Sequence, residues 1–143
     1  MRIARLFPLL LSLALVGCLS DHTNTDLPTN HKDVKRVGMV VKLKPDQIGE
    51  YNRIHSDEEP GVRHLLEKYG MRNFSIFLVQ LADSNWYEFA YYEYWGDDFE
   101  ADMEALAEEP ENLAWLSVTD SMQEGILPGI AGWKEMDRIF YNY

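Results

Sequence analysis

Residues 74–95 read Phe74-Ser-Ile-Phe-Leu-Val-Gln-Leu81, Ala82-Asp-Ser-Asn85, Trp86-Tyr-Glu-Phe-Ala-Tyr-Tyr-Glu-Tyr-Trp95. Two runs rich in aromatic and β-branched residues flank four small or polar ones, which predicts an antiparallel hairpin. In the second run Trp86, Tyr92 and Tyr94 fall on one face, and Tyr87, Phe89, Tyr91 and Trp95 on the other. Both faces carry bulk, so neither is suited to bulk water. A thick core or a packed partner would each produce this pattern.

Working outward toward the N-terminus, Arg36-Val-Gly-Met-Val-Val-Lys-Leu-Lys44 places Val37, Met39, Val41 and Leu43 in strict alternation, a strand with one apolar face. Pro45-Asp46 opens a helix in which Ile48, Tyr51 and His55 share a face. Pro60 interrupts after Asp57-Glu58-Glu59, and Val62, Leu65, Leu66 and Tyr69 resume the period until Gly70 stops it. Two helical pieces bent near Pro60 are therefore expected. Beyond the hairpin, Phe99, Met103 and Leu106 recur at helical spacing, as do Trp115, Val118 or Thr119, Met122 and Ile126. Leu127-Pro128-Gly129 and Ala131-Gly132 end the helix ahead of a last strand in Trp133–Tyr141. The order β-α-β-β-α-β is that of an α+β ferredoxin-like fold, with helices on one face of an antiparallel sheet.

The whole chain has 143 residues, 46% hydrophobic and 13% aromatic, enough for one domain with a real core across residues 35–143. Its formal charge of −11 argues against nucleic acid as a partner. There is no Gly-rich phosphate loop, no Ser-centred nucleophile elbow and no basic aromatic patch. A metal site draws little support from His55, Asp57, Glu58, Glu59 and His64. Pro60 bends the helix that would group them, and no second histidine stands at the four-residue spacing of a zinc helix.

The segments Tyr51-Asn-Arg-Ile-His55 with Pro60 beyond, Tyr69-Gly-Met-Arg-Asn-Phe-Ser-Ile-Phe77, and Trp133-Lys-Glu-Met-Asp-Arg-Ile-Phe-Tyr141, in this order, resemble the L-rhamnose mutarotase family over residues 35–143. The resemblance implies a homodimeric α/β barrel in which two ferredoxin-like sheets pack face to face. It also implies a cofactor-free enzyme that interconverts the α and β anomers of a free pyranose. His55 matches the family's proton-donor histidine and Tyr51 a sugar-binding tyrosine. The position of a second binding tyrosine is Phe74, without the phenol, and a tryptophan pair falls at Ala114-Trp115, so one indole remains. By residue type alone, His55 and Tyr51 could be core groups, Trp115 a core residue and Phe74 core or pocket wall. Other classes that fit are a sugar-binding lipoprotein of the same fold without turnover, and a different ferredoxin-like dimeric enzyme such as a cofactor-free monooxygenase.

Residues 1–17 form a separate object. Arg2 and Arg5 lead an apolar run from Leu6 to Leu19, shorter than the ~20 residues that span a bilayer. Leu15-Val16-Gly17-Cys18 resembles a bacterial lipobox, so residues 1–17 are expected to be a lipoprotein signal peptide and Cys18 the acylated N-terminus of the mature chain. An ordinary signal peptide or a short anchor would read similarly. Cys18 is the only cysteine, which excludes an intramolecular disulfide and a cysteine nucleophile within the domain. Cleavage would leave 11 basic residues against 24 acidic ones, so membrane attachment would rest on acyl chains alone. Residues 18–34, with the polar stretch beginning at Ser20, read as a flexible tether. An extracytoplasmic, lipid-anchored location follows, at which sugars released by surface glycosidases would be the substrates.

Overall fold

The computed structural model describes residues 34–142. Its elements are β1 (Lys35–Leu43), a 3₁₀ turn (Pro45–Gln47), α1 (Ile48–Ile54), α2 (Arg63–Lys68), β2 (Met71–Gln80), β3 (Trp86–Tyr94), α3 (Phe99–Glu108), α4 (Pro110–Met122), β4 (Gln123–Glu124) and β5 (Lys134–Met136). The strands form one antiparallel sheet in the order β2-β3-β1-β4, with β5 also pairing to β1. This is the α+β ferredoxin-like arrangement expected from the element order.

Local chemistry sets the boundaries. The Asp98 carboxylate accepts a hydrogen bond from the Ala101 amide at 3.2 Å, capping α3, and Glu100 and Asp102 complement the positive end of that helix. Pro110 opens α4, at a position where its missing N–H costs nothing. Gly70, at φ +74°, ends α2 in a conformation that side chains with a Cβ resist.

The register of β1 against β3 pairs Val37 with Tyr92, Met39 with Ala90, Val41 with Glu88 and Leu43 with Trp86. These residues share the inner face, beneath the helices. Val37, Met71, Tyr92 and Tyr94 pack there with Val62, Leu65 and Leu106 in one apolar cluster. Leu43, Tyr51 and Met122 form a second, bordered by Ile48, Ile54 and Leu78. The outer face is different. Phe77 is 64% exposed and Val79 is also open to solvent, beside half-buried Tyr87 and Phe89. Within a single chain, the bulk of β3 is thus well covered on the inner face and only partly covered on the outer one.

Three expectations are corrected. Strand β2 begins at Met71 rather than Phe74, because a bulge between Arg72 and Ser75 sets two residues opposite one and breaks the alternation that the sequence displays. Asn73 absorbs that bulge at φ 54°, a region asparagine tolerates better than most residues. Helix α4 stops at Met122, short of Ile126, because Gln123 and Glu124 enter the sheet opposite Leu43 and Lys42. The long last strand from Trp133 to Tyr141 is reduced to Lys134–Met136, paired with Gly38–Val40. Past it Ile139 and Phe140 leave the sheet exposed, and the tail returns at Tyr141, whose hydroxyl accepts a hydrogen bond from the Arg36 guanidinium at 3.0 Å. Cys18, the signal-peptide reading and the tether up to residue 33 lie outside the described residues.

Candidate active site

The stretch Tyr51-Asn-Arg-Ile-His55 forms the end of α1, and its four-residue spacing does what the sequence implies. The Tyr51 and His55 rings stack at 4.0 Å between centroids, inclined by 22°. Trp115, from α4, meets the His55 ring edge-on at 5.0 Å and 70°. The bend after Pro60 allows that approach. Gly61, at φ +50°, lies so near the Trp115 ring that a Cβ placed there would come within 3.3 Å of it.

His55 closes α1, and its Nδ1 lies 2.8 Å from the Tyr51 carbonyl oxygen. A carbonyl only accepts, so Nδ1 carries the proton and Nε2 of the neutral ring holds the free lone pair. Burial pushes the imidazole below its ordinary pKa. The backbone hydrogen bond opposes this, and the positive charge of Arg63 adds to the lowering. The neutral ring, a base at Nε2, therefore dominates near pH 7.

Two further groups complete the site. Glu88 of β3 is 1% exposed on the inner face. Gln123 of β4 donates from one amide nitrogen to Glu88 Oε2 at 2.7 Å and to the Tyr51 hydroxyl at 3.2 Å. Burial drives the Glu88 carboxyl up to about 7, against the opposing hydrogen bonds from Gln123 and Tyr51. The Tyr51 phenol is pushed far above its usual value by burial and by the Glu88 charge and hydrogen bond, so it stays protonated. Gln123 Oε1 is buried without a hydrogen-bond partner among the described residues.

Sequence reasoning missed both residues. For Glu88 a signal exists: it is a carboxylate in phase with Trp86, Ala90, Tyr92 and Tyr94 on the face that becomes buried, where an acid is costly unless partnered. Gln123 offered none, since a two-residue strand has no periodicity to read. The remaining candidates are less central. Phe74, re-aimed by the bulge, stacks on Tyr92 at 5.4 Å with planes 2° apart, and no ring contact joins it to Tyr51 or His55 among the described residues. Ala114 lies on the exposed side of α4, so Trp115 is the indole that faces the site.

The sequence model of the L-rhamnose mutarotase family matches residues 36–142, every element of the fold. The chain belongs to the L-rhamnose mutarotase family. An L-rhamnose mutarotase of Lactiplantibacillus plantarum is 40% identical over 58 residues, 41% of this chain and 53% of that protein, so the match spans about half the length of this curated relative. The crystal structure of an L-rhamnose mutarotase from Formosa agariphila superimposes with a TM-score of 0.56 at 22% identity, covering 76% of this chain and 99% of that one, and shows the shared fold. Among the described residues, no group of three His, Cys, Asp or Glu side chains is placed to hold a metal ion, and no helix is long and apolar enough to cross a membrane.

Proposed function

We propose that this chain interconverts the α and β anomers of a free pyranose, with L-rhamnose the first sugar to test. The observation that carries the reading is His55, its Nδ1 fixed on a backbone carbonyl and its Nε2 free, between the Tyr51 phenol and the Trp115 indole. Mutarotation needs a base to take the proton from the anomeric hydroxyl while the ring oxygen gains one. The C1 to ring-oxygen bond then breaks, the C1–C2 bond of the open aldehyde rotates, and closure returns both protons. His55 Nε2 takes and returns the anomeric proton. Tyr51 orients the sugar, and Trp115 offers an aromatic wall to the apolar C–H face of a pyranose. A saturation-difference NMR panel of free monosaccharides, with added protein, tests this. Exchange between anomeric signals above the spontaneous rate is expected for at least one sugar. Binding without exchange would instead point to a sugar-binding protein of the same fold.

The acting species is proposed to be a homodimer joined through the outer sheet face. Exposed Phe77 and Val79, flanked by Tyr87 and Phe89, make an apolar surface of the kind a second copy would bury. The chain should therefore sediment as a dimer at micromolar concentration. Phe77→Asp, which changes a side chain 64% exposed in the single chain, should yield a folded monomer with unchanged circular dichroism. A wild-type monomer would overturn this assembly. Membrane attachment through acylated Cys18, on the extracytoplasmic side, is likewise proposed from the Leu15-Val-Gly-Cys18 pattern. Cys18→Ser should abolish labelling by a fatty-acid probe and release the chain from the detergent phase; persistent labelling would reject the lipobox reading.

A further inference from the structure

We propose that Glu88 is the second proton-transfer group of this site, exchanging its proton with the ring oxygen of the sugar through the Tyr51 hydroxyl. The inference rests on the mutarotase reading and adds the partner that His55 lacks. A base at the anomeric hydroxyl accounts for one of the two proton movements; the ring oxygen needs a donor of its own. Tyr51 is badly suited to be that source alone, because its buried phenol resists ionisation. It is well suited to pass a proton on. Its hydroxyl and Glu88 Oε2 are held by the same Gln123 amide nitrogen, at 3.2 and 2.7 Å, and its ring lies against His55.

In the opening step, protonated Glu88 gives its proton to the Tyr51 oxygen as the phenol gives its own to the ring oxygen, while His55 Nε2 takes the anomeric proton. The C1 to ring-oxygen bond breaks, C1 becomes the aldehyde carbon, and the site holds a carboxylate and an imidazolium where it held a carboxylic acid and an imidazole. Closure on the other face of the aldehyde reverses each transfer. Protons and charge balance within the site, and no outside reactant is needed.

The surroundings of Glu88 favour the acid form it must start in. From α1 it faces the Tyr51 phenol and from β4 the Gln123 amide. Its strand neighbours are Val41 of β1 and Leu78 of β2, and no cation contributes to its titration. Burial therefore outweighs the lowering by the Gln123 and Tyr51 hydrogen bonds and holds the carboxyl at about 7, while it lowers His55. With ordinary pKa values a glutamate and a histidine would both be charged between about pH 4.3 and 6.5, and above that only the carboxylate would be, leaving no acid at neutrality. Here the two are shifted toward each other, so that near neutrality an acid and a base coexist in one site, the general pattern for acid–base catalysis.

The test is the pH dependence of anomer exchange, measured by NMR on the best sugar of the panel with the full mature chain. Wild-type kcat should fall on an alkaline limb centred near 7, where Glu88 loses its proton. Glu88→Gln keeps the shape and a hydrogen-bonding amide but has no proton to give. It should lower kcat by about 10²-fold, erase the alkaline limb and leave KM little changed. Tyr51→Phe, which keeps the ring stacked on His55, should erase the same limb.

A purely structural Glu88 would let the amide variant keep the wild-type rate and profile, and that result overturns the proposal. So does a wild-type rate that stays flat well above pH 7. No exchange by the wild type on any sugar would instead sink the mutarotase reading beneath it. Folding of the variant is checked by melting. A raised carboxyl pKa contributes stability below the unfolded value of about 4.5, and that stability is lost as pH rises through the folded value. Glu88→Gln should therefore melt higher relative to wild type at pH 8 than at pH 5. If the variant does not fold, the wild-type limb and Tyr51→Phe decide the matter.

Discussion

His55→Ala should lower anomer exchange by about 10²–10⁴-fold, the usual worth of a positioned acid–base group, while leaving sugar binding largely in place. The imidazole is the described group whose lone pair is both free and basic near pH 7. Its Nδ1 proton is spent on the Tyr51 carbonyl, and burial keeps the ring neutral. Removing it takes away the base and the two ring contacts that hold Tyr51 and Trp115 at 4.0 and 5.0 Å from its centroid. The backbone cost is small, because His55 follows the last residue of α1 and the helix does not need its side chain. A rate effect without a large affinity effect is therefore the signature expected. His55→Ala with wild-type exchange on the best sugar would remove imidazole from the mechanism. His55→Asn separates geometry from basicity: its amide can still reach the Tyr51 carbonyl, yet it cannot accept a proton near neutrality, so it should be nearly as slow as alanine.

How far the chain can be read depends on how regular each piece is. Alternation in Val37, Met39, Val41 and Leu43 and the three-four spacing of Ile48, Tyr51 and His55 carry over to the inner face, although Arg36 and Val40 on the other face of β1 are buried as well, which a one-faced alternation does not announce. The bulge at Asn73 and Phe74 was illegible: an extra residue in a strand looks like ordinary sequence until its partner is known. The same holds for the last sheet position, which β4 and β5 share as two short pieces where one long strand was expected. Of the site, Tyr51, His55 and Trp115 could be named because family resemblance marks them. Glu88 and Gln123 come from separate strands 35 residues apart, and their 2.7 Å contact exists only once β4 pairs with β1 beside β3. Burial is what turns Glu88 from a surface-type residue into a group titrating near 7, and burial belongs to the tertiary structure.

Leu43→Ala should destabilise the domain by about 2–5 kcal/mol, the range for deleting a fully buried leucine side chain, out of the ~5–15 kcal/mol that holds a domain of this kind together. Leu43 is 2% exposed at the end of β1 and packs with Tyr51 and Met122, bordered by Ile48, Ile54 and Leu78. Its strand also carries the register of β4, since Leu43 faces Gln123 and the following Lys44 amide donates to the Met122 carbonyl at 3.0 Å. Urea unfolding should show the loss as a lower midpoint at unchanged slope, while Val118→Ala, at a site 45% exposed, should shift stability by no more than about 0.5 kcal/mol. A Leu43→Ala cost as small as that of Val118→Ala would show that this cluster is not a core. The variant also tests how the site is held. Tyr51 is at once a member of the Leu43 cluster and the phenol bonded to Gln123, so loosening the cluster should slow anomer exchange even where the protein remains folded. Leu106→Ala, in the other cluster, should cost comparable stability with less effect on the rate, because Tyr51, Glu88 and Gln123 are not among the residues that pack there.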